Sequence, residues 1–211
     1  VPRNGEDRRV FLQSDGIMSH STVYVNGHEV GTRANGYASF CYDITDFVRQ
    51  GKNLIAIRVD NSVQPASRWY TGSGINRRLR LIYTNDVRIP YQGVFAHYDD
   101  SLQCVCVEAS VCNSSKKVRR IRFEAELAGC RRQSKRLRLE PGQELKCEFR
   151  LNAVGIERWS PDSPLRTTVS VRAKRNGHTL DEECIDFGIR SIRYDNETGF
   201  WLNGRNMKMY G

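Results

Sequence analysis

Apolar and polar residues alternate with a period of two along most of the chain, which is typical of β-strands with one buried face. Residues 54–60 and 78–84 both show this pattern. Residues 120–129 contain glutamates that favour a helix, but their strict alternation predicts a strand. The chain is therefore predicted to be almost entirely β-structure. The apolar faces of the first two strands are formed by Ile55, Ile57 and Val59, and by Leu79, Leu81 and Tyr83.

Turn signals divide the first part of the chain into short strands. Further strands are predicted at residues 10–12, 21–25 and 40–44. Asn26 and Gly27 predict a type I′ hairpin, because both residue types tolerate a positive φ. Residues 45–48 predict a short helical turn that begins at a Thr or Asp cap and is ended by Gly51.

One loop, residues 67–77, interrupts the two strongest strand patterns. Arg68, Trp69 and Tyr70 lie immediately before a segment rich in glycine and serine, which gives the backbone freedom. An aromatic pair beside a guanidinium can stack on a sugar ring and bind its hydroxyl groups. Alternatively, Trp69 and Tyr70 plug the end of a sandwich core. Both interpretations stay open from composition alone.

The second part of the chain predicts another sandwich. Asn85 and Asp86 follow the last strand of the first unit and mark the expected boundary. Trp159 lies on a connection, where an aromatic cap over the core is favoured over a ligand platform. The predicted strands are residues 94–98, 102–112, 118–127, 137–139, 145–151, 167–172 and 183–187, a number and size typical of an immunoglobulin-like domain.

The formal net charge of +9 over 211 residues raises the question of nucleic-acid binding. The densest basic clusters are residues 116–122 and 131–138. Charges in the second cluster alternate with Leu137 and Leu139, as on the solvated face of a strand, and no nucleic-acid-binding motif accompanies them. A solvated face is favoured, and contact with a polyanion or with other parts of the protein is the alternative.

The seven cysteines contain no C-x-x-C pair, which argues against a zinc site, so no metal or other cofactor is predicted. Cys104 and Cys106 point to one face of a strand. Buried free thiols are favoured, and one inter-sheet disulfide in the second unit is the alternative. No apolar run approaches the roughly 18 to 20 residues that span a bilayer, so no membrane association is predicted.

Several short motifs together resemble family 2 glycoside hydrolases. In the first unit they resemble the family's sugar-binding domain, and in the second its immunoglobulin-like domain and the entry to its catalytic barrel. The motifs are residues 23–31, 36–37, 42–48, 53–61 and 67–75 in the first unit, and 158–164, 187–190 and 199–204 in the second.

The resemblance implies a jelly-roll-like, galactose-binding-like sandwich at residues 1–86, an immunoglobulin-like sandwich at 87–190, and a lead-in at 191–211 to an (α/β)₈ barrel that this chain lacks. Family jelly rolls have further strands before the position of Val1, and the chain starts without an initiator Met or leader. We therefore expect a fragment with an open sheet edge, which favours association into a homo-oligomer. A periplasmic or secreted location is favoured over a cytoplasmic one.

The resemblance also implies hydrolysis of terminal β-glycosides by the longer protein. Its two catalytic glutamates belong to the barrel, so no catalytic residue is predicted here and this chain alone should be inactive. Arg68, Trp69 and Tyr70 are predicted to bind substrate at the rim of the active site. Some galactosidases of the family carry an acidic residue where this chain has Ser67 and Arg68, so no metal site is expected there.

Galactosidase, glucuronidase and mannosidase activities all stay open, with β-galactosidase favoured. A free-standing carbohydrate-binding or adhesion module is the alternative from another functional class, and a nucleic-acid binder would rest on charge alone.

Overall fold

A computed structural model describes residues 8–63, 70–129 and 131–209. These residues fold into β-strands with one short 3₁₀ turn, Thr45–Phe47, which confirms the all-β prediction. None of them forms a helix long and apolar enough to cross a membrane. The chain divides into two compact units between Asp86 and Val87.

The strands of the first unit are β1 (Arg8–Ser14), β2 (Ile17–Met18), β3 (Ser21–Val25), β4 (His28–Arg33), β5 (Phe40–Asp43), β6 (Ile55–Arg58), β7 (Gly74–Ile75) and β8 (Leu79–Asn85). In the described part of this unit they form two three-stranded antiparallel sheets, β5-β1-β8 and β4-β3-β6, and the short pair β2-β7. Both larger sheets contribute to one core, so the unit is a sandwich. That core contains Val10, Leu12, Ile17, Val23, Val25, Phe40 and Ile44.

The hairpin between β3 and β4 has the predicted turn, since φ is 52° at Asn26 and 89° at Gly27. The Asn26 side chain also donates to the Phe47 carbonyl oxygen and to Asn53 Oδ1, both at 2.8 Å. Its own Oδ1 accepts the Leu54 amide at 3.0 Å. One asparagine therefore joins the hairpin, the 3₁₀ turn and the start of β6.

The 3₁₀ turn differs from its prediction at both ends. Ile44 precedes it without a side-chain capping bond, and the chain is already extended at Val48, well before Gly51. Asp43 instead accepts the Thr45 amide at 3.0 Å and pairs with Arg9 of β1. Burial alone would raise the pKa of Asp43, but hydrogen bonds from Thr45 and the Arg9 charge hold it below 3.8. The predicted start at a Thr or Asp cap and the predicted end at Gly51 are both wrong. The turn follows Ile44, and the carboxylate of Asp43, one residue before Ile44, accepts the first amide of the turn.

Leu81 and Tyr83 were expected on the apolar inner face of a strand, and they remain 43 % and 41 % exposed. Their position on the face is right, since Leu79 of the same strand packs on the core. In the described part of the chain, however, β8 pairs only with β1, and β6 pairs only with β3. Leu81 therefore lies outside the core, on an edge strand of its sheet as described, and the open edge expected from missing strands stays a prediction.

An apolar groove of about 390 Å³ lies at this edge of the first unit. Besides Leu81 and Arg80 it is lined by Leu12, Ile55, Ile57, Ile75 and Leu79. Unpaired backbone groups next to exposed apolar side chains favour pairing with another strand.

We expect the chain to self-associate through this edge, and Leu81→Lys to weaken the association. A lysine there removes apolar area and places a charge in the contact, so the dimer Kd should rise about tenfold. Sedimentation velocity over a concentration series measures the change. Leu102→Lys, at an exposed turn of the second unit, is the matched control and should change nothing. Wild-type chain that stays monomeric at high concentration would contradict the expectation.

The second unit contains two larger sheets and a three-stranded meander. The strands are β9 (Val87–Arg88), β10 (Val94–Asp99), β11 (Cys104–Asn113), β12 (Arg119–Leu127), β13 (Arg131–Leu139), β14 (Glu144–Asn152), β15 (Thr167–Arg175), β16 (His178–Phe187), β17 (Ile192–Asp195), β18 (Gly199–Leu202) and β19 (Arg205–Met207). Sheet β10-β11-β14, with β9 beside β11, shares one core with sheet β13-β12-β15-β16. Strands β17-β18-β19 form the meander.

Period two correctly outweighed helix propensity in β12, whose core-facing residues are all buried. Phe123 of this strand meets Phe149 of the other sheet edge to face, with ring centroids 5.8 Å apart. Strand β13 begins at Arg131 rather than at residue 137, because it pairs with β12 along its whole length despite its charges. The two sheets form a sandwich as expected, and its immunoglobulin-like character stays a prediction.

Free thiols are found at Cys104, Cys106, Cys112, Cys147 and Cys184. The Sγ atoms of Cys104 and Cys106 lie 3.7 Å apart, as their shared face predicts. Burial, helped by the neighbouring Cys104 thiol, raises the pKa of Cys106 to about 11, and burial also raises the pKa of Cys112 and of Cys147. These three are therefore protonated structural thiols at neutral pH. Cys184 is exposed, so the buried-thiol prediction is wrong there.

Trp159 is held as a structural residue on its connection. Its amide donates to the Ile189 carbonyl oxygen at 2.8 Å, and its carbonyl oxygen accepts from the Asn203 side chain at 2.9 Å. The Arg190 guanidinium carbon lies 5.1 Å from the ring centroid. A Cβ at Gly188 would come within 2.6 Å of both Cβ and Cγ of Trp159. Only glycine at position 188 allows this approach.

Gly188→Ala should destabilise the second unit, because the added methyl group overlaps the root of the Trp159 side chain. An overpacked site of this kind costs about 1 to 3 kcal/mol. Thermal unfolding of the variant measures the loss. Gly72→Ala, whose added Cβ meets nothing within 4 Å, is the control and should leave Tm unchanged. An unchanged Tm for Gly188→Ala would mean that the connection shifts without strain.

Candidate functional site

The connection between β6 and β7 carries the predicted substrate-binding residues. Strand β7 pairs with β2, with Ile75 opposite Ile17 and Gly74 opposite Met18. Because of this pairing, the end of the connection lies beside β2 and near the turn at Ser19 and His20 that follows β2. The candidate site is therefore built where two turns of the first unit meet.

Asn61 bridges the two ends of this connection. The Ser19 hydroxyl lies 3.2 Å from Asn61 Oδ1 and 3.3 Å from the Asp60 carbonyl oxygen, and it donates to one of them at a time. The Asp60 amide donates to the Ser19 carbonyl oxygen at 3.1 Å. On its other side, Asn61 Nδ2 is 3.3 Å from Thr71 Oγ1 and 3.4 Å from the Thr71 carbonyl oxygen. Thr71 directly follows Tyr70, so this network anchors the predicted aromatic residue.

Asp60 contributes an exposed carboxylate to the same site. Its Oδ1 accepts the Ser62 hydroxyl at 2.7 Å and the Ser62 amide at 3.2 Å. These bonds, with smaller contributions from the Arg58 and His20 charges, hold the pKa of Asp60 below 3.8. The group is therefore ionised at neutral pH and can accept hydrogen bonds from hydroxyl groups of a ligand.

Two aromatic rings are exposed in this part of the unit. Tyr70 is 93 % exposed, and Tyr37, between β4 and β5, is 59 % exposed. The Arg77 guanidinium carbon lies 5.7 Å from the Tyr37 ring centroid. A Cβ at Gly36 would lie 2.5 Å from Met18 Sδ, so glycine lets the Tyr37 connection press against β2. An exposed ring with a polar neighbour is suited to stacking on a sugar.

Of the predicted site residues, Tyr70 is described, whereas Arg68 and Trp69 lie outside the described residues. The exposure of Tyr70 shows that the core-plug alternative is wrong for this residue. Sequence reasoning assigned no binding role to Asn61, Asp60 or Ser19. The only available signal was the position of the first two within the motif at residues 53–61.

Stacking and hydrogen bonding are the chemistry this arrangement supports. Carboxylates with a raised pKa, which suit a general acid, lie in the second unit: burial raises the pKa of Asp181 and of Glu183. Asp181 accepts the Ile89 amide at 2.7 Å, which is a structural role. Among the described residues, no group of three or more His, Cys, Asp or Glu side chains could hold a metal ion.

Asn61→Ala should loosen the connection while leaving the fold intact, because it removes one side-chain bridge worth about 1 kcal/mol. We expect faster tryptic cleavage after Arg68, measured by mass spectrometry of the released pieces. Ser62→Ala is the control, since the Ser62 side chain bonds to Asp60 at the near end and, among the described residues, does not reach Thr71. Equal cleavage rates in wild type and Asn61→Ala would show that the long bonds to Thr71 do not anchor the connection.

Comparison with known proteins identifies the origin of this architecture. Residues 1–88 match the family model described as glycosyl hydrolase 2 galactose-binding domain-like. The chain is 30 % identical over 207 residues to a putative β-glucuronidase of Formosa agariphila, covering 97 % of this chain and 20 % of that protein. It is also 30 % identical over 209 residues to a β-galactosidase of Bacteroides ovatus, covering 95 % of this chain and 25 % of that protein.

Among solved structures, a glycosyl hydrolase family 2 member from Bacteroides cellulosilyticus DSM 14838 superimposes with a TM-score of 0.91. Sequence identity is 31 %, and the match covers 98 % of this chain and 29 % of that one. The chain thus spans between a fifth and a third of the length of these relatives. The family model, the relatives and the solved structure agree: residues 1–88 form a galactose-binding-like domain of glycosyl hydrolase family 2, and the chain as a whole is similar to part of members of that family.

Proposed function

We propose that this chain is the non-catalytic, amino-terminal part of a retaining glycosidase that hydrolyses terminal β-glycosides. In this proposal, the chain supports a catalytic barrel and shapes the rim of its active site. β-Galactosidase activity is our first candidate. β-Glucuronidase activity is the second, because a relative with that name is 30 % identical over 97 % of the chain.

The exposed Tyr70 next to the Asn61 and Thr71 network is the observation that carries the proposal. The Tyr70 ring presents a flat face to solvent, and its chain neighbour Thr71 is bonded to Asn61, which follows the ionised Asp60 in the chain. Arg68 and Trp69 are adjacent in sequence, and we propose that they complete the substrate-binding surface. A sugar ring fits this combination of a flat apolar face and polar edges.

Retaining hydrolysis requires two carboxylates about 5 to 5.5 Å apart, one as nucleophile and one as acid and base. The first unit's best-defined carboxylates have other tasks. Asp43 is paired with Arg9, Asp15 with Arg80 at 2.9 Å, and Asp60 holds the turn at Ser62. We therefore assign the reaction to glutamates outside this chain and a positioning role to the chain itself.

A free-standing carbohydrate-binding module remains the alternative from a different class. Both proposals place sugar at Tyr70. They differ in whether the chain needs a barrel for binding, so sugar affinity of the chain alone, matching that of any longer protein, would favour the module.

Trp69→Ala, made in the longer protein that we propose, should lower kcat/KM by an amount equivalent to about 1 to 3 kcal/mol. The physical reason is loss of a stacked ring that positions the sugar in the transition state. Nitrophenyl β-galactoside and β-glucuronide are both assayed, and the better substrate decides between the two candidate activities. Melting temperature is measured on the same variant, because loss of a core Trp would instead cost about 3 to 5 kcal/mol of stability.

Tyr194→Ala, at an exposed aromatic residue of the second unit, controls for general effects and should keep full activity. Normal kcat/KM with a large loss of Tm for Trp69→Ala would show that Trp69 is a structural plug and overturn the site assignment.

The 211-residue chain alone should hydrolyse no aryl glycoside, because neither proposed catalytic glutamate is present. Release of nitrophenol is followed spectroscopically. A preparation from the empty expression host controls for contaminating glycosidases. Turnover by the chain above that background would place catalytic residues within it and contradict the proposal.

A further inference from the structure

A basic groove of about 590 Å³ lies on the second unit and shares no residue with the proposed substrate site. It lies on sheet β13-β12-β15-β16, and the turn at Asn176 and Gly177 closes one end. No carboxylate lines it. The lining consists of Arg120, Ile121, Arg122, Arg136, Leu137, Arg138, Lys174, Arg175, Asn176 and Gly177.

The outer face of the same strands shows how charges are balanced elsewhere in this sheet. Glu126 of β12 accepts from Arg132 of β13 and from Arg172 of β15, with its Oε2 3.2 Å from Arg172 Nη1. Arg172 Nε in turn lies 2.7 Å from Glu182 Oε1. These ion pairs hold the pKa of Glu126 below its usual range. Around Glu126, therefore, Arg132 and Arg172 each form an ion pair with an acidic residue on a neighbouring strand.

Like charges face each other at the groove end. Arg122 stands opposite Arg136 on one neighbouring strand and opposite Lys174 on the other. One step along the face, Arg120 stands opposite Arg138. Side chains directly opposite in a sheet have Cβ atoms about 5 Å apart, where like charges are destabilising.

Partners relieve only part of this repulsion. Arg138 pairs with Glu140 at 3.0 Å, and Lys174 with Glu124 at 2.5 Å. Within the described part of the chain, Arg120, Arg122 and Arg136 make no ion pair or hydrogen bond. An anion placed between them would remove the repulsion and satisfy three guanidinium groups.

We propose that the basic groove binds an anionic polysaccharide, whose carboxylate or sulfate groups lie between Arg120, Arg122 and Arg136. The alternating register places these cations in two rows along the strands, which suits an extended chain of repeating charges. Guanidinium groups match the planar, multi-oxygen geometry of such anions.

The lining also argues against other polyanions. Single-stranded nucleic acids bind on exposed aromatic rings as well as on cations, and this groove has no aromatic residue. Interfaces with folded proteins are enriched in aromatic anchors, and the only apolar residues in this lining are Ile121, which is buried, and Leu137. A polysaccharide can be held by charge along its length. The groove is thus a second carbohydrate surface, and it stands whether or not the proposed glycosidase activity is correct.

The test measures binding of a fluorescent heparin oligosaccharide, a sulfated uronate polymer, to the 211-residue chain. The variant Arg120→Gln/Arg122→Gln/Arg136→Gln should bind about tenfold more weakly than wild type. The variant Arg49→Gln/Arg58→Gln/Arg205→Gln removes the same charge from exposed sites elsewhere and should weaken binding less than about twofold. Tm of the groove variant should stay constant or rise, because opposed like charges are lost.

The charge-keeping variant Arg120→Lys/Arg122→Lys/Arg136→Lys should bind about threefold more weakly than wild type, between wild type and the glutamine variant, because the charge is kept and the planar guanidinium is lost. Equal losses in both glutamine variants, or no heparin binding by wild type, would overturn the proposal. Binding of duplex DNA or polyglutamate as tight as heparin would also overturn it and point to a different class of partner. Hydrolysis of neutral aryl glycosides is assayed separately and tests only the proposed function.

Discussion

Burial of every second side chain between two paired sheets is the constraint on which both units depend. It places Val10 and Leu12 of β1 against Val23 and Val25 of β3, and it packs Phe123 against Phe149 in the second unit. Successive side chains of a strand point to opposite faces, so the residues between these apolar positions must face outward. Both proposed binding surfaces consist of outward groups and connections that this constraint leaves available.

Polar side chains that this packing encloses form hydrogen bonds with the strand ends and turns around them. Nδ2 of buried Asn113 lies 2.8 Å from the Lys117 carbonyl oxygen and 3.1 Å from those of Leu139 and Glu140, and its two N–H groups are shared among the three. It thereby connects the end of β11 to the end of β13. Asn26 plays the same role in the first unit. An enclosed carbonyl group without a partner costs more folding free energy than a satisfied hydrogen bond contributes, so these bonds are needed. Two asparagines thus fix the connections between strands whose register is already set by packing.

The strands could be predicted because their pattern is local. Alternation predicted β12 correctly, and the Asn-Gly pairs at 26–27, 176–177 and 203–204 all adopt positive φ. Features that depend on distant parts of the chain were missed. The length of β13 depends on its pairing with β12, and the exposure of Leu81 depends on which strands flank β8. The same distinction holds for the candidate site. Its aromatic residues could be predicted because they are adjacent in sequence. The link from Ser19 through Asn61 to Thr71 was missed because it joins three separate segments.

The two surfaces are held in place by different forces, and this difference governs how each can vary. At the Tyr70 connection, side-chain hydrogen bonds of 3.2 to 3.4 Å join Ser19 to Asn61 and Asn61 to Thr71. Bonds of that length are weak, so a ligand can rearrange the connection at low cost. In the basic groove, the backbone pairing of β12 with β13 and β15 sets the spacing of the cations. Substitutions there change the charge while the spacing persists. The connection is therefore suited to adapting to one sugar ring, and the groove to holding a repeating anionic chain with little reorganisation.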